Sequence, residues 1–196
     1  MVGVLALQGD FYKHRLVLDS MGEESIYVKN KSDLKKTKAL IIPGGESTTL
    51  SKLIDRFNMR HALNEYSKKY SVMGTCAGMI LLSSSPQNQL DKNVKVLNIM
   101  DFSVDRNAWG RQIDSFQEII NLKEFGMNNI NAIFIRAPKV KVIGKRVVKV
   151  GYLKENPIII EDDLHLAMSF HPELDCDSRL YKYFLNKNYY EIQKNS

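Results

Sequence analysis

Cys76 stands in the stretch Val72-Met73-Gly74-Thr75-Cys76-Ala77-Gly78-Met79-Ile80, where one apolar run stops at Gly74 and another resumes after Gly78. The pattern predicts a short buried strand, a sharp turn with the cysteine at its apex, and a helix continuing through Leu82. Glycines two positions to either side suit such a turn, because the apex residue is held at a strained backbone angle and side chains at Gly74 and Gly78 would collide. A thiol placed there projects from the sheet edge on the first turn of a helix. Unpaired N–H groups and the positive end of the dipole favour its thiolate, and the Ala77 amide would point to where an oxyanion forms. Spacing alone does not separate this nucleophile from a cysteine that merely packs, so other stretches must decide.

A base for that thiol is available in Ser169-Phe170-His171-Pro172-Glu173, which follows an apolar strand. In an extended segment residues two apart face the same way, which puts His171 and Glu173 on one side, and Pro172 stiffens the link. The Glu173 carboxylate would fix the ring tautomer and stabilise the imidazolium while the other ring nitrogen faces a thiol. The order Cys76, His171, Glu173 is no obstacle, since triads are defined by geometry. The alternative is a strand-end histidine bonded to backbone. Of the four histidines, however, His14, His61 and His165 fall in helix or loop positions with no evident carboxylate partner. One His, one Cys and scattered carboxylates give no zinc-ligand spacing, so no metal or cofactor is expected. Cys176, in a polar turn, looks incidental.

The elements that must position these groups read as an α/β fold. Val2 to Leu7 is a continuous apolar run, the mark of a strand covered on both faces. Asp10 can cap a helix carrying Leu16, Val17 and Met21 that stops at Gly22, before a second strand at Ile26 to Val28. After a short helical turn at Ser32 to Lys36, Ala39 to Ile42 forms a third strand. It runs into Pro43-Gly44-Gly45-Glu46-Ser47-Thr48 and a helix with Leu50, Leu53 and Ile54 inward. Two adjacent glycines there let backbone N–H groups approach a ligand, although a plain turn capped by Ser47 would also account for the loop. It lacks the ending of a phosphate-binding P-loop. A helix at about Met59 to Lys68 then leads to the Cys76 turn. The loops Gln8-Gly9, Gly44-Gly45 and Gly74 to Cys76 leave the same sheet edge, where open α/β sheets bind ligands.

From Ser83 to Asn93 the composition is that of a loop. The strand-like segments beyond it are Val94–Leu97, Phe102–Arg106, Ile113–Ile120, Ala132–Arg136, Val140–Ile143, Val147–Leu153, Pro157–Ile160 and Leu166–Phe170. Some extend the sheet and others form antiparallel hairpins, before a last helix at about Ser178 to Lys187. The chain of 196 residues fits a single domain, 1–196, and two cysteines are too few for a disulfide framework. That favours a reducing compartment, and hence the cytoplasm. The opening apolar run is too short for a signal or a membrane span. Net charge is +6, but the densest basic run, Lys139 to Lys149, alternates with Val on an expected hairpin around Gly144-Lys145. It has no interleaved aromatics, which argues against nucleic acid. A solvated strand face guarding a sheet edge explains it.

Pro43-Gly-Gly-Glu-Ser-Thr48, Gly74-Thr-Cys-Ala-Gly78 and Ser169-Phe-His-Pro-Glu-Leu174 together resemble the class I, or triad, glutamine amidotransferases. Arg106-Asn-Ala-Trp-Gly-Arg-Gln-Ile-Asp-Ser-Phe116 and Phe134-Ile-Arg-Ala-Pro138 narrow the likeness to the glutaminase subunits of pyridoxal 5′-phosphate synthase, and it runs essentially end to end. Trp109 stands where Phe is common, and Val150 to Asn156 departs from the usual pattern. The resemblance implies a flavodoxin-like three-layer α/β sandwich with a mostly parallel sheet, hydrolysis of L-glutamine, and delivery of ammonia to a separate (βα)8-barrel synthase subunit. It further implies that the subunit alone is poorly active until it docks. By position it makes Cys76 the nucleophile and His171 and Glu173 its partners. Gly45, Glu46, Ser47, Arg106, Ile135 and Arg136 would bind substrate, and Gly44, Gly45 and Ala77 would form the oxyanion hole. A glutaminase serving histidine or purine synthesis, and a non-catalytic assembly partner, are the competing readings.

Overall fold

The computed structural model describes residues 1–84, 94–106, 115–122 and 126–194. Val2–Leu5 (β1), Ala39–Ile42 (β3) and Ser71–Thr75 (β4) are buried throughout. Their apolar runs are covered on both faces because they lie at the centre of a seven-stranded sheet. With Ser25–Val28 (β2), Val148–Leu153 (β9), Asn156–Glu161 (β10) and Leu166–Met168 (β11), the order is β2-β1-β3-β4-β11-β10-β9. The five strands from β2 to β11 are parallel, and β10 runs antiparallel to both of its neighbours.

Alternate residues of each strand feed opposite cores, as a period of two requires. Leu5, Leu40 and Ile42 face one side, where Ser47–Arg56 (α3), Arg60–Ser67 (α4) and Ala77–Leu82 (α5) contribute Leu50, Ile54, Leu63, Met79 and Leu81. Val4 and Ile41 face the other, against Val17 and Leu18 of Phe11–Ser20 (α1) and Leu180, Tyr181 and Phe184 of Arg179–Lys194 (α6). Lys31–Lys35 (α2) completes the helices. Two small antiparallel sheets flank this frame. Phe102–Asp105 (β5) pairs with Lys139–Ile143 (β8), and Ser115–Leu122 (β6) pairs with Met127–Ile135 (β7).

Several local expectations are corrected. The basic stretch is no hairpin: β8 joins β5 and β9 joins β10, so the strands flanking Gly144 belong to different sheets, and the Gly144 N–H is held by the Asp101 carbonyl at 2.8 Å. Lys149 does lie on an edge strand of the large sheet. Val94–Leu97 forms no strand; it lies along α5, with the Leu97 N–H donating to the Leu81 carbonyl at 2.7 Å and the Lys95 N–H to Ser51 Oγ at 3.0 Å. Asp10 precedes α1 without capping it, its carboxylate lying instead 3.7 Å from Lys13 Nζ. Glu46, not Ser47, caps α3: its longer carboxylate accepts from Thr48 N at 2.9 Å and Thr49 N at 2.6 Å. The loop residues 85–93, and residues 107–114 of the Arg106–Phe116 motif and of the strand expected to start at Ile113, lie outside the described residues. Among the described residues no helix is long and apolar enough to cross a membrane.

Candidate active site

Cys76 is the hinge between β4 and α5, with φ 48° and ψ −104°, a region that L residues occupy only under constraint. The constraint is visible. The Cys76 N–H donates to the Met168 carbonyl of β11 at 2.8 Å, and its carbonyl accepts from Ile80 N at 3.2 Å. A Cβ built on Gly78 would lie 2.0 Å from the Ile42 carbonyl oxygen, and one on Gly74 would lie 2.6 Å from the Gly78 carbonyl carbon. Both glycines are therefore required by close approach of α5 to β3 and β4, as the spacing around the cysteine predicts.

Beyond β11 the chain brings His171 to the same edge. Its N–H donates to the Ile133 carbonyl of β7 at 2.9 Å, and the ring sits against the Gly44 backbone, where an added Cβ would meet Cε1 at 2.3 Å. Nδ1 of His171 lies 2.7 Å from Glu173 Oε1, and Glu173 is fully buried. The two side chains do pair, but not along an extended segment: Pro172–Leu174 is a 3-10 turn that curls the carboxylate back under the ring. Burial opposes a charge on His171, yet hydrogen bonds with Cys76 and Glu173, and their negative charges, push its pKa up to about 10. Glu173 is held below the usual carboxylate range: burial raises it, but the His14 and His171 rings together outweigh that.

Over Cys76 lies a cavity of about 160 Å³, lined by Gly45, Glu46, Ser47, Ile80, Arg106, Ile135, Arg136 and His171 as well as the cysteine. This is below the roughly 300–1,000 Å³ of drug-sized ligand pockets and suits a small metabolite. Every residue expected from the sequence to bind substrate thus borders one hollow; Ile80 is the addition. The Ile135 carbonyl is 3.7 Å from the Cys76 Sγ, at the end of β7, and Arg136 follows at φ 44°. Arg106 Nη2 lies 3.3 Å from Thr48 Oγ1 and 3.6 Å from Glu46 Oε1. Burial raises the Glu46 carboxyl, but its bonds from Thr49 and Thr48 prevail and bring the pKa to about 2. The glycine loop is clamped from behind: Glu46 N–H donates to Gln8 Oε1 at 3.0 Å, and a Cβ on Gly9, at φ 92°, would lie 1.8 Å from the Gly44 carbonyl oxygen.

The expectation that only His171 has a carboxylate partner is corrected. His14 of α1 is completely buried with Nε2 3.5 Å from Glu173 Oε2, and its Nδ1 is 2.7 Å from the Tyr181 hydroxyl. A lone histidine in an amphipathic helix gave no sign of this, because its partner arrives more than 150 residues later. Cys176 is exposed and Cys76 buried, both as free thiols. Among the described residues no cluster of His, Cys, Asp and Glu could hold a metal ion. A larger hollow of about 380 Å³ around His165 contains neither the triad residues nor any residue lining the cavity over Cys76. It lies at the opposite end of β4, where the Val72 N–H donates to His165 Nδ1 at 3.2 Å.

Residues 4–189 match the SNO glutamine amidotransferase family. The pyridoxal 5′-phosphate synthase subunit PdxT of Exiguobacterium sibiricum is 42% identical over 187 residues, covering 95% of each chain. That of Thermosipho africanus is 41% identical over 186 residues, covering 94% of this chain and 97% of its own. A crystal structure of a glutamine amidotransferase superposes with a TM-score of 0.86 at 38% identity, over 95% of this chain and 97% of the other. PurLQS from Thermotoga maritima, at 14% identity and a TM-score of 0.60, covering 94% of this chain and 96% of the other, shares the fold alone.

Proposed function

Because the chain belongs to the SNO glutamine amidotransferase family, we propose that it is the glutaminase subunit of a pyridoxal 5′-phosphate synthase. In this reading residues 1–196 act as one amidotransferase domain in the cytoplasm, and they pass ammonia to a separate (βα)8-barrel synthase subunit. The observation that carries the reading is the His171 ring, bonded to Glu173 Oε1 at 2.7 Å and bordering the same small hollow as Cys76.

The chemistry follows from that placement. His171, its pKa raised by its bonded partners against the pull of burial, takes the Cys76 thiol proton and holds it as an imidazolium. The sulfur attacks the carboxamide carbon of L-glutamine. The resulting oxyanion is met by the Ala77 amide and by the Gly44-Gly45 loop. His171 gives its proton to the departing nitrogen, the C–N bond breaks, and ammonia leaves a thioester on Cys76. The neutral ring then takes a proton from water, the hydroxide oxygen bonds to the acyl carbon, and the C–S bond breaks to give glutamate and the resting pair. In this reading Arg106 and Arg136 receive the substrate α-carboxylate, for which a planar fork is suited. Gly45, Glu46, Ser47 and Ile135 shape the remaining wall.

Ammonia becomes ammonium in neutral water and is lost to the reaction, so release is useful only beside an acceptor. A Gly44-Gly45 loop that completes the oxyanion hole on docking would link the two. The test is glutamate release from glutamine by the wild type and Cys76→Ala, with and without the cognate synthase. The reading requires a sharp rise on adding synthase that the variant lacks; equal turnover with and without partner contradicts it. Stimulation by a histidine- or purine-pathway synthase instead would reassign the partner.

A further inference from the structure

The triad reading leaves one carboxylate oxygen without a task. Glu173 is fully buried and Oε1 is taken by His171, yet among the described residues no hydrogen bond closes on Oε2. A bare carboxylate oxygen in the interior is costly, and a carboxylate held at one oxygen only can swing about its last torsion. The group facing Oε2 is Nε2 of His14, 3.5 Å away and without solvent contact. That distance is long for a hydrogen bond, and a small rotation of the carboxylate closes it; such bonds commonly tighten only when substrate is bound.

The far side of the His14 ring determines which nitrogen carries the proton. Tyr181 Oη lies 2.7 Å from Nδ1 in a fully buried position. Burial, and then the Glu173 charge, raise the Tyr181 pKa well above that of a free phenol, so the hydroxyl keeps its proton. It must place that proton, and Nδ1 is the acceptor within reach. Burial lowers the His14 pKa despite the Glu173 charge, and an Nδ1 that accepts from Tyr181 leaves the ring proton to Nε2. That N–H lies between Glu173 Oε2 and Thr75 Oγ1, the latter at 3.3 Å on the residue before the nucleophile.

Resting on the triad reading, we infer that His14 is a positioning residue: its Nε2–H, oriented by Tyr181, holds Glu173 Oε2 so that Oε1 stays on His171 and the imidazole stays aimed at Cys76. The line Tyr181–His14–Glu173–His171–Cys76 joins α6 and α1, near the two ends of the chain, to the turn at its middle.

Three variants separate the roles, assayed for glutamine hydrolysis with the synthase present and for melting temperature. His14→Phe keeps a flat ring and removes the donor, His14→Gln restores an N–H near the position of Nε2, and Tyr181→Phe removes the group that sets the tautomer. Loss of one hydrogen bond to a charged group should lower kcat by about tenfold in His14→Phe with KM within about twofold. His14→Gln should recover most of that loss, and Tyr181→Phe should lose several-fold in kcat. A His14→Phe enzyme within about twofold of wild-type kcat, or a glutamine variant as slow as the phenylalanine one, overturns the inference while leaving the triad standing. If His14→Phe does not fold, an undiminished kcat in Tyr181→Phe overturns it. A wild type that releases no more glutamate than Cys76→Ala defeats the triad reading, and this inference with it.

Discussion

Gly78→Ala adds a single methyl group in the turn that carries Cys76. The new Cβ would lie 2.0 Å from the Ile42 carbonyl oxygen and 2.9 Å from its carbon. Both are backbone atoms and cannot rotate away, so α5 must part from β3 by about 1.4 Å before the contact becomes ordinary at 3.4 Å. Alanine is worth about 1 kcal/mol over glycine within a helix, against about 1–3 kcal/mol for overpacking. The net loss is about 1 kcal/mol, or a drop in Tm of about 2–4 °C for a chain of this size. The effect on turnover is far larger, because Cys76 heads the displaced helix and Gly74 and Gly78 approach so closely that a Cβ on Gly74 would lie 2.6 Å from the Gly78 carbonyl carbon. A misplacement of about 1 Å at a reacting atom costs on the order of a hundredfold. The assay is kcat/KM for glutamine with synthase present, beside thermal melting. Gly22→Ala, with nothing within 4 Å of the added methyl, serves as the control for backbone strain alone. A Gly78→Ala protein with kcat/KM within about threefold of wild type would refute the steric argument for the turn.

Two further outcomes follow from the site. The folded pKa of His171, about 10, lies above its ordinary 6.5. The stability it contributes is therefore fully present below pH 6.5 and is lost as pH rises through about 10. Denaturant midpoints should fall more steeply across that window in the wild type than in Cys76→Ala or Glu173→Gln, each lacking one partner of the ring; parallel profiles would contradict the assignment. Arg106→Ala should raise KM for glutamine by about tenfold with a smaller change in kcat, and Arg106→Lys should recover only part of the loss, since a point charge cannot replace the fork. An unchanged KM would remove Arg106 from the substrate site.

What the sequence made legible was local. The uninterrupted apolar runs at Val2, Ala39 and Val72 mark doubly covered strands, and the glycines flanking Cys76 mark the turn, because each pattern records a constraint within a few residues. His171 and Glu173 were legible as a pair for the same reason, although a 3-10 turn rather than an extended segment brings them together. Contacts between distant segments were not. Whether Val140 to Ile143 pairs with Val147 to Leu153 or with Phe102 to Asp105 depends on competition among edges that alternation cannot rank. The cap of α3 went to Glu46 because its longer carboxylate reaches two amides at once. His14 was invisible as a member of the site because its meaning depends on a carboxylate and a phenol supplied by the last quarter of the chain.

The most direct test of the central claim is covalent trapping. Protein with Cys176→Ala, assembled with synthase and treated with an electrophilic glutamine analogue, is digested and its peptides weighed. The account predicts a single adduct on the peptide containing Cys76, formed much more slowly when His171 is replaced by alanine. Labelling that bypasses Cys76, or that proceeds at the same rate without the imidazole, would contradict it.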